Sequence, residues 1–320
     1  AKSALQHPVP FEPINLGQGV NTENNEYYPC ITADEQTLLF TRLIVDSQTQ
    51  GRKQEDFYLS KKSDAKWNDA LPVAEINTNK NEGAPTLSAD GQMLIFTACE
   101  AADGTYGGTR QGIGSCDLFY SMKTPTGWTP AENMGNTVNS NTWESQPSFS
   151  DNGRTLYFVR GKRTASGIKE QNIYYSYRRE SGDWSVPVEV RGRVNTIFEE
   201  ESVMIHPDGH TLYFSSNGHS GMGGLDIFMS RLLPNGEWDT PTNLGYPINT
   251  HKDENSIQVT ARGQIALFAS DRFGGQGGLD LYQFNLPQRV QPSLVTYVAG
   301  IISDKLSYKK LEARLELIEP

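Results

Sequence analysis

Asn195-Thr196-Ile197-Phe198-Glu199-Glu200-Glu201-Ser202-Val203-Met204-Ile205-His206-Pro207-Asp208-Gly209-His210-Thr211-Leu212-Tyr213-Phe214 is the stretch that decides how the rest of the chain is read. Glu200 lies five positions after Asn195, the turn position Asp208 eight further on, and Phe214 six beyond that. The same spacings start again at Asn21, Asn77, Asn139 and Asn249. They reach Glu26, Glu82, Glu144 and Glu254, then Asp34, Asp90, Asn152 and Arg262, then Phe40, Phe96, Phe158 and Phe268. A hydroxyl residue follows each Asn: Thr in most copies, Ser140 in the third. Successive copies lie 54 to 62 residues apart, a period that belongs to propellers and similar arrays.

Each copy reads as four strands. In the fourth, Ser202–Ile205 runs to an Asp-Gly hairpin turn, and the aromatic, β-branched Thr211–Ser215 follows it. The glycine-rich loop 217–224 leads to a third strand at Asp226–Met229, and Trp238-Asp239-Thr240-Pro241 introduces an edge-like fourth. Proline suits an edge because it cannot donate to a central ladder. Third strands are expected from Asp56, Asp117, Asn172, Asp226 and Asp280, and outer-strand tryptophans are Trp67, Trp128, Trp184 and Trp238. The fifth copy lacks a Trp-x-x-Pro, but Phe11 to Thr22 matches Trp238 to Thr250. An N-terminal outer strand is therefore predicted to close the ring and remove an exposed sheet edge. The expected fold is an all-β, five-bladed β-propeller spanning residues 9–292, with six blades as the alternative. Beyond residue 293, the alternating runs 298–304 and 311–317 read as the start of a second β domain, too short to bury a core alone.

The bulk numbers agree with that class. Thirteen Phe, 14 Tyr and 5 Trp stand among 30 Gly and 17 Pro, the mark of short strands and frequent turns. With 28 basic and 38 acidic residues, the net charge is −10 and no basic cluster opposes it. Nucleic acid is not an expected partner. No run approaches the ~20 apolar residues that span a bilayer.

The repeated Glu26, Glu82, Glu144, Glu200 and Glu254 are the tempting catalytic carboxylates. A glycosidase needs two carboxyl groups in different environments, and five equivalent ones do not supply that asymmetry. They read as structural, as do Asn21, Asn77, Asn139, Asn195 and Asn249. No catalytic residue, metal site or cofactor is expected, and the chain is not expected to be an enzyme. The glycine-rich loops 216–224 and 270–278 read as positions that need positive φ, and His206 and His210 as solvated. Cys99 and Cys116 fall at adjacent strand ends, so disulfide and free thiols are both open; Cys30 reads as a small buried residue.

The runs Thr32–Phe40, Ser88–Phe96 and His206–Phe214 resemble the WD40-like PD40 repeats of TolB-type propellers. More narrowly, Pro8 to Thr22 and Ser-x-x-x-Gly-Gly-x-Gly-Gly-Leu-Asp at Ser270–Asp280 resemble the propeller of OmpA-family envelope proteins of Bacteroidota. That family includes a PorE-type component of type IX secretion. The resemblance implies an order of TPR helices, propeller, carboxypeptidase-regulatory-like β domain and peptidoglycan-binding domain. Residues 1–8 would then be the end of the helical region and residues 293–320 the start of the regulatory-like domain. It implies a periplasmic location at the outer membrane, partners among envelope and secretion proteins, and peptidoglycan contact only through a domain outside this chain.

The leading expectation is a protein-interaction scaffold, with binding sought where the repeat is broken: Leu43 to Lys53, Ala101 to Ser115 and Gly161 to Glu170. The alternative is a carbohydrate-binding or glycosidase-type propeller. It predicts carboxylates outside the repeat, gathered at one mouth of the axis.

Overall fold

A computed structural model gives the arrangement of the chain and describes residues 2–46, 52–150, 153–272, 274–296, 302–307, 309 and 311. The strands form five antiparallel units, each ordered from an inner strand outward. The first unit is Asn25–Ile31, Thr37–Asp46, Arg52–Ser63 and the two-residue outer strand Leu71–Pro72. The second is Glu82–Leu87, Met93–Cys99, Cys116–Thr124 and Glu132–Asn133, and the third is Trp143–Phe149, Thr155–Thr164, Gly167–Tyr177 and Val188–Glu189. Glu200–Ile205, Thr211–Ser216, Asp226–Arg231 and Thr242–Asn243 make the fourth. The fifth is Gln258–Val259, Ile265–Ser270 and Asp280–Asn285, completed by Ile14–Asn15 from the other end of the chain.

That last pairing closes the ring. Ile14 lies opposite Gln283 and Asn15 opposite Tyr282, antiparallel, while Phe11 packs on Phe268 and Phe284 at centroid distances of 5.9 and 5.0 Å. The molecule is a β-propeller. Among the described residues no further strand group is present that could make a sixth unit.

The core lies between units, because each sheet buries both faces against its neighbours. One cluster joins Met204, Tyr213 and Ile227 of the fourth unit to Phe268 and Phe284 of the fifth. Another joins Phe57 of the first to Phe96 and Phe119 of the second. The repeated Phe40, Phe96, Phe158, Phe214 and Phe268 are all fully buried, each contributing about 2–3 kcal/mol by removal from water.

Each inner strand carries one irregularity. Two residues after the repeated Glu, the backbone is left-handed at Tyr28, Ala84, Gln146, Ser202 and Ser256, with φ of 49°, 50°, 54°, 51° and 59°. The register against the second strand slips at this point in the first four units. This is a bulge, and it turns the inner strands toward a shared axis. Such conformations cost roughly 1–3 kcal/mol each and persist where the surroundings fix them.

Two expectations need correction here. The glycine-rich loops do not chiefly serve positive φ, which among glycines 218–224 and 274–278 occurs only at Gly274. They serve close approach: a Cβ on Gly223 would stand 2.3 Å from the backbone of His251, and one on Gly277 would stand 2.4 Å from the carbonyl of Thr22. His206 is not solvated but fully buried. Its Nδ1 accepts from the Asp208 N–H at 3.0 Å, which leaves Nε2 to donate to the Thr260 carbonyl at 3.1 Å.

Lys2–Gln6 forms a short helix before the propeller. The two strands expected over 298–304 and 311–317 fall largely outside the described residues. Within them, Asp304 N–H donates to the Lys309 carbonyl and Leu311 N–H to that of Ile302, at 2.8 and 2.9 Å.

Candidate functional site at one mouth of the axis

The repeated residues form the frame around the site. Each Asn amide brackets one backbone residue on a third strand, accepting from its N–H and donating to its carbonyl. The bracketed residues are Leu281 for Asn21, Phe57 for Asn77, Leu118 for Asn139, Ile173 for Asn195 and Ile227 for Asn249, all at 2.8–3.0 Å. Each Glu accepts from the N–H and hydroxyl of the Thr or Ser four residues before it, at Thr22, Thr78, Ser140, Thr196 and Thr250. Three of them also hold an arginine, Arg42 on Glu26, Arg110 on Glu82 and Arg160 on Glu144. Burial pushes the Glu26, Glu82 and Glu254 carboxyls up in pKa, against the pull of these hydrogen bonds and of nearby arginines. With every oxygen engaged inside its own unit, these carboxylates have no free face for a ligand.

The two ends of the axis differ. Inner strands begin, second strands end and third strands begin at the same end, so every insertion between second and third strands projects there. Strands Thr37–Asp46 and Arg52–Ser63 stay paired out to Asp46 and Arg52, and Thr155–Thr164 and Gly167–Tyr177 out to Thr164 and Gly167. Between these long hairpins lies the 100–115 loop of the second unit. Its base is a disulfide between Cys99 and Cys116. Its Tyr106 is buried against Phe119, and its Arg110 reaches Glu82. All three breaks in the repeat thus rise on consecutive units around one mouth. The opposite mouth is a cavity of about 240 Å³, with Val295 and Thr296 among its lining residues. It is lined by Cys30, whose thiol burial pushes up to about 12 in pKa.

The insertion-bearing mouth also collects carboxyl groups that the repeat does not require. Glu201 follows the repeated Glu200, a position held elsewhere by Tyr27, Gly83, Ser145 and Asn255. Glu55 precedes the third-strand Asp56, a position held elsewhere by Cys116, Gln171, Leu225 and Leu279. Glu55 Oε1 accepts from the Tyr27 hydroxyl at 2.6 Å, and its Oε2 lies 3.4 Å from where a Cβ on Gly83 would stand. Glu201 Oε1 accepts from Gln171 Nε2 at 2.9 Å.

Tyr28, on its bulge, reaches across the axis into the field of both carboxylates and onto Gln146, which itself accepts from the Ser202 N–H at 2.5 Å. Burial raises the pKa of Glu55, with the Tyr27 hydrogen bond working against it. Burial likewise raises Glu201, helped by Glu199 and Asp253 and opposed by Gln171. The Tyr28 phenol is raised by burial first and by these carboxylates after it. All three side chains are half-buried, at once desolvated and open to the mouth. Beneath them the axis narrows to a well of about 40 Å³, lined by Gln146, Ser202 and Ser256. Among the described residues no group of three or more His, Cys, Asp or Glu could hold a metal ion.

No protein-family model and no curated protein matches the chain. Among solved structures it is similar to a protein of unknown function from Dyadobacter fermentans, at 12% identity and TM-score 0.52, covering 89% of this chain and 86% of that one. It is similar to a GH43_1 enzyme from Xanthomonas citri complexed with xylotriose, at 11% identity and TM-score 0.50, covering 88% and 91%. TolB from Acinetobacter baumannii aligns at 15% identity and TM-score 0.47, covering 84% of this chain; the chain spans 55% of that protein's length. These likenesses concern the fold.

They also correct one expectation. The chain was not expected to be an enzyme, because its repeated glutamates are equivalent. A glycoside hydrolase stands among the structures that share its fold, so that exclusion does not hold. The equivalence of the repeated glutamates says nothing of carboxylates outside the repeat, and Glu55 and Glu201 are two such residues. Aligning the copies column by column and seeking the unmatched carboxylate would have found both.

Proposed function

We propose that this propeller recognises carbohydrate in the cell envelope, taking a sugar unit at the mouth formed by Tyr28, Glu55 and Glu201. The observation that carries the reading is the pair of desolvated carboxyls outside the repeat, set on either side of a tyrosine at the axis. A carboxyl with raised pKa can donate when protonated and accept when ionised, and Gln146 and Gln171 add amides that do both. Such a set suits a ligand rich in hydroxyls. Two carboxyls in unlike surroundings are also what glycoside hydrolysis requires, one as acid and one as base or nucleophile. Glu55, hydrogen-bonded by a phenol, and Glu201, hydrogen-bonded by an amide and flanked by Glu199 and Asp253, are unlike in that sense. The test is a screen of plant, bacterial and host glycans read both for binding and for released reducing ends. Loss of the signal in Glu55→Gln and Glu201→Gln supports the reading; a screen without binding refutes it.

A second reading rests on the three insertions gathered on this face, which suit docking of a protein partner. The sequence motifs at Pro8–Thr22 and Ser270–Asp280 favour an OmpA-family, PorE-type setting in the periplasm, at the outer membrane, in type IX secretion or gliding. They also favour helices before residue 9 and a regulatory-like domain from 293. No described helix is long and apolar enough to cross a membrane. Crosslinking in intact cells tests the partner: a specific envelope protein captured by wild type and lost on trimming the 161–170 hairpin supports it. The full reading frame tests the domain order.

A further inference from the structure

Beside the axial mouth the fourth unit exposes two large apolar side chains, Ile197 at 94% and Phe198 at 54%. The frame does not call for them. The corresponding pairs are Glu23-Asn24, Asn79-Lys80, Asn141-Thr142 and His251-Lys252, all polar. The loop that presents them is held firmly. Thr196 is bound to Glu200 through its N–H and hydroxyl at 2.9 and 2.7 Å. Phe198 N–H donates to Thr196 Oγ1 and Glu199 N–H to Asn217 Oδ1, each at 3.0 Å.

The pair is continuous with the mouth. Two residues separate Phe198 from Glu201, and the long hairpin of the third unit lines the way between them. Its Gln171 donates to Glu201 at 2.9 Å, and its Lys169 pairs with Glu199 at 3.1 Å. From the axis outward, the path runs from carboxyl and amide to an exposed ion pair and then to an exposed aromatic ring. A sugar ring has that same division, with hydroxyls at its edge and C–H groups on its face. The rim therefore offers what a sugar held at its edge by Glu199 and Lys169 would need beneath its face.

We propose that Phe198, with Ile197, is a stacking subsite for the second and later units of a glycan whose first unit occupies the axial mouth. The ligand class is accordingly a linear oligosaccharide or polysaccharide rather than a free monosaccharide. This rests on the carbohydrate reading above, and the two fail separately.

The experiment is calorimetric titration of wild type, Phe198→Ser, Phe198→Trp and Glu201→Gln with xylose and N-acetylglucosamine oligomers of one to six units. For wild type, affinity should rise by about tenfold between one and four units, the size of one good aromatic contact. Phe198→Ser should bind the single unit as wild type does and lose the rise, whereas Phe198→Trp should keep it. Glu201→Gln should lose binding at every length. If Phe198→Ser retains the rise while Glu201→Gln abolishes binding, the subsite is refuted and the axial site stands. If no oligomer binds, or Glu201→Gln leaves binding unchanged, both are overturned.

Discussion

Asn249→Ala tests how the ring is fastened. Asn249 is fully buried. Its Oδ1 accepts from the Ile227 N–H, while its Nδ2 donates to the Ile227 carbonyl and to Asn243 Oδ1, all at 2.8 Å. Truncation to Ala strands the N–H of a fully buried residue, while the Ile227 carbonyl keeps the Leu244 N–H at 3.1 Å. A buried group left unpaired costs about 1–3 kcal/mol, so the loss should be about 2 kcal/mol. That is a large share of the ~5–15 kcal/mol that holds a typical domain together. At ~2–4 °C per kcal/mol for a domain of this size, Tm should fall by roughly 6 °C. Asn195→Ala is the internal comparison. Asn195 brackets Ile173 in the same way but is only half-buried, so water can replace part of what is lost. Differential scanning calorimetry on both variants should show the Asn195 loss at about half the Asn249 loss. A shift below ~2 °C for Asn249→Ala, or a larger one for Asn195→Ala, would refute the idea that these brackets stitch the fourth strand to its unit.

Three further outcomes follow from the same contacts. The Cys99–Cys116 bond spans 17 residues, so Cys99→Ser with Cys116→Ser should cost about 3 kcal/mol in chemical denaturation, and reductant should shift wild type the same way. Gly223→Ala places a Cβ 2.3 Å from the His251 backbone; it should lower Tm by several degrees, whereas alanine at Gly209, whose added Cβ would meet nothing within 4 Å, should incur only the backbone strain of its φ of 69°. Burial raises the Glu201 carboxyl above its ordinary 4.5, so its charged form destabilises the fold. That cost is fully present above the folded pKa and vanishes as pH falls below the unfolded one. Glu201→Gln should therefore raise Tm at neutral pH, with the gain shrinking toward about pH 4.5. A gain that grows in acid would reverse the sign of the argument.

The frame was legible because it repeats. Asn21 to Phe40 and its four echoes carry the strand order, and the match between Phe11–Thr22 and Trp238–Thr250 carries the closure, since both are properties of chemistry repeated at fixed spacing. The meeting of Glu55 and Glu201 was not legible for the complementary reason. Glu55 and Glu201 come from different strands of different units, and only the ring brings them to the same tyrosine. The bulge at Tyr28 was also invisible, because the five residues that share it, Tyr, Ala, Gln, Ser and Ser, have no common chemistry. Their positive φ is set by the closing of the strands around the axis rather than by residue type. The glycine-rich loops were visible and misread. Their spacing is dictated by the neighbouring unit's backbone, which a single copy of the repeat does not contain.

Carbohydrate recognition at this mouth is tested most directly by a crystal of the propeller soaked with the best-binding oligosaccharide from the glycan screen. A sugar unit is expected at the insertion-bearing mouth, its hydroxyls within hydrogen-bond distance of Glu55 and Glu201 and its ring near Tyr28. A sugar seated instead at the opposite mouth beside Cys30 and Val295, or one that leaves both glutamates untouched, would contradict it.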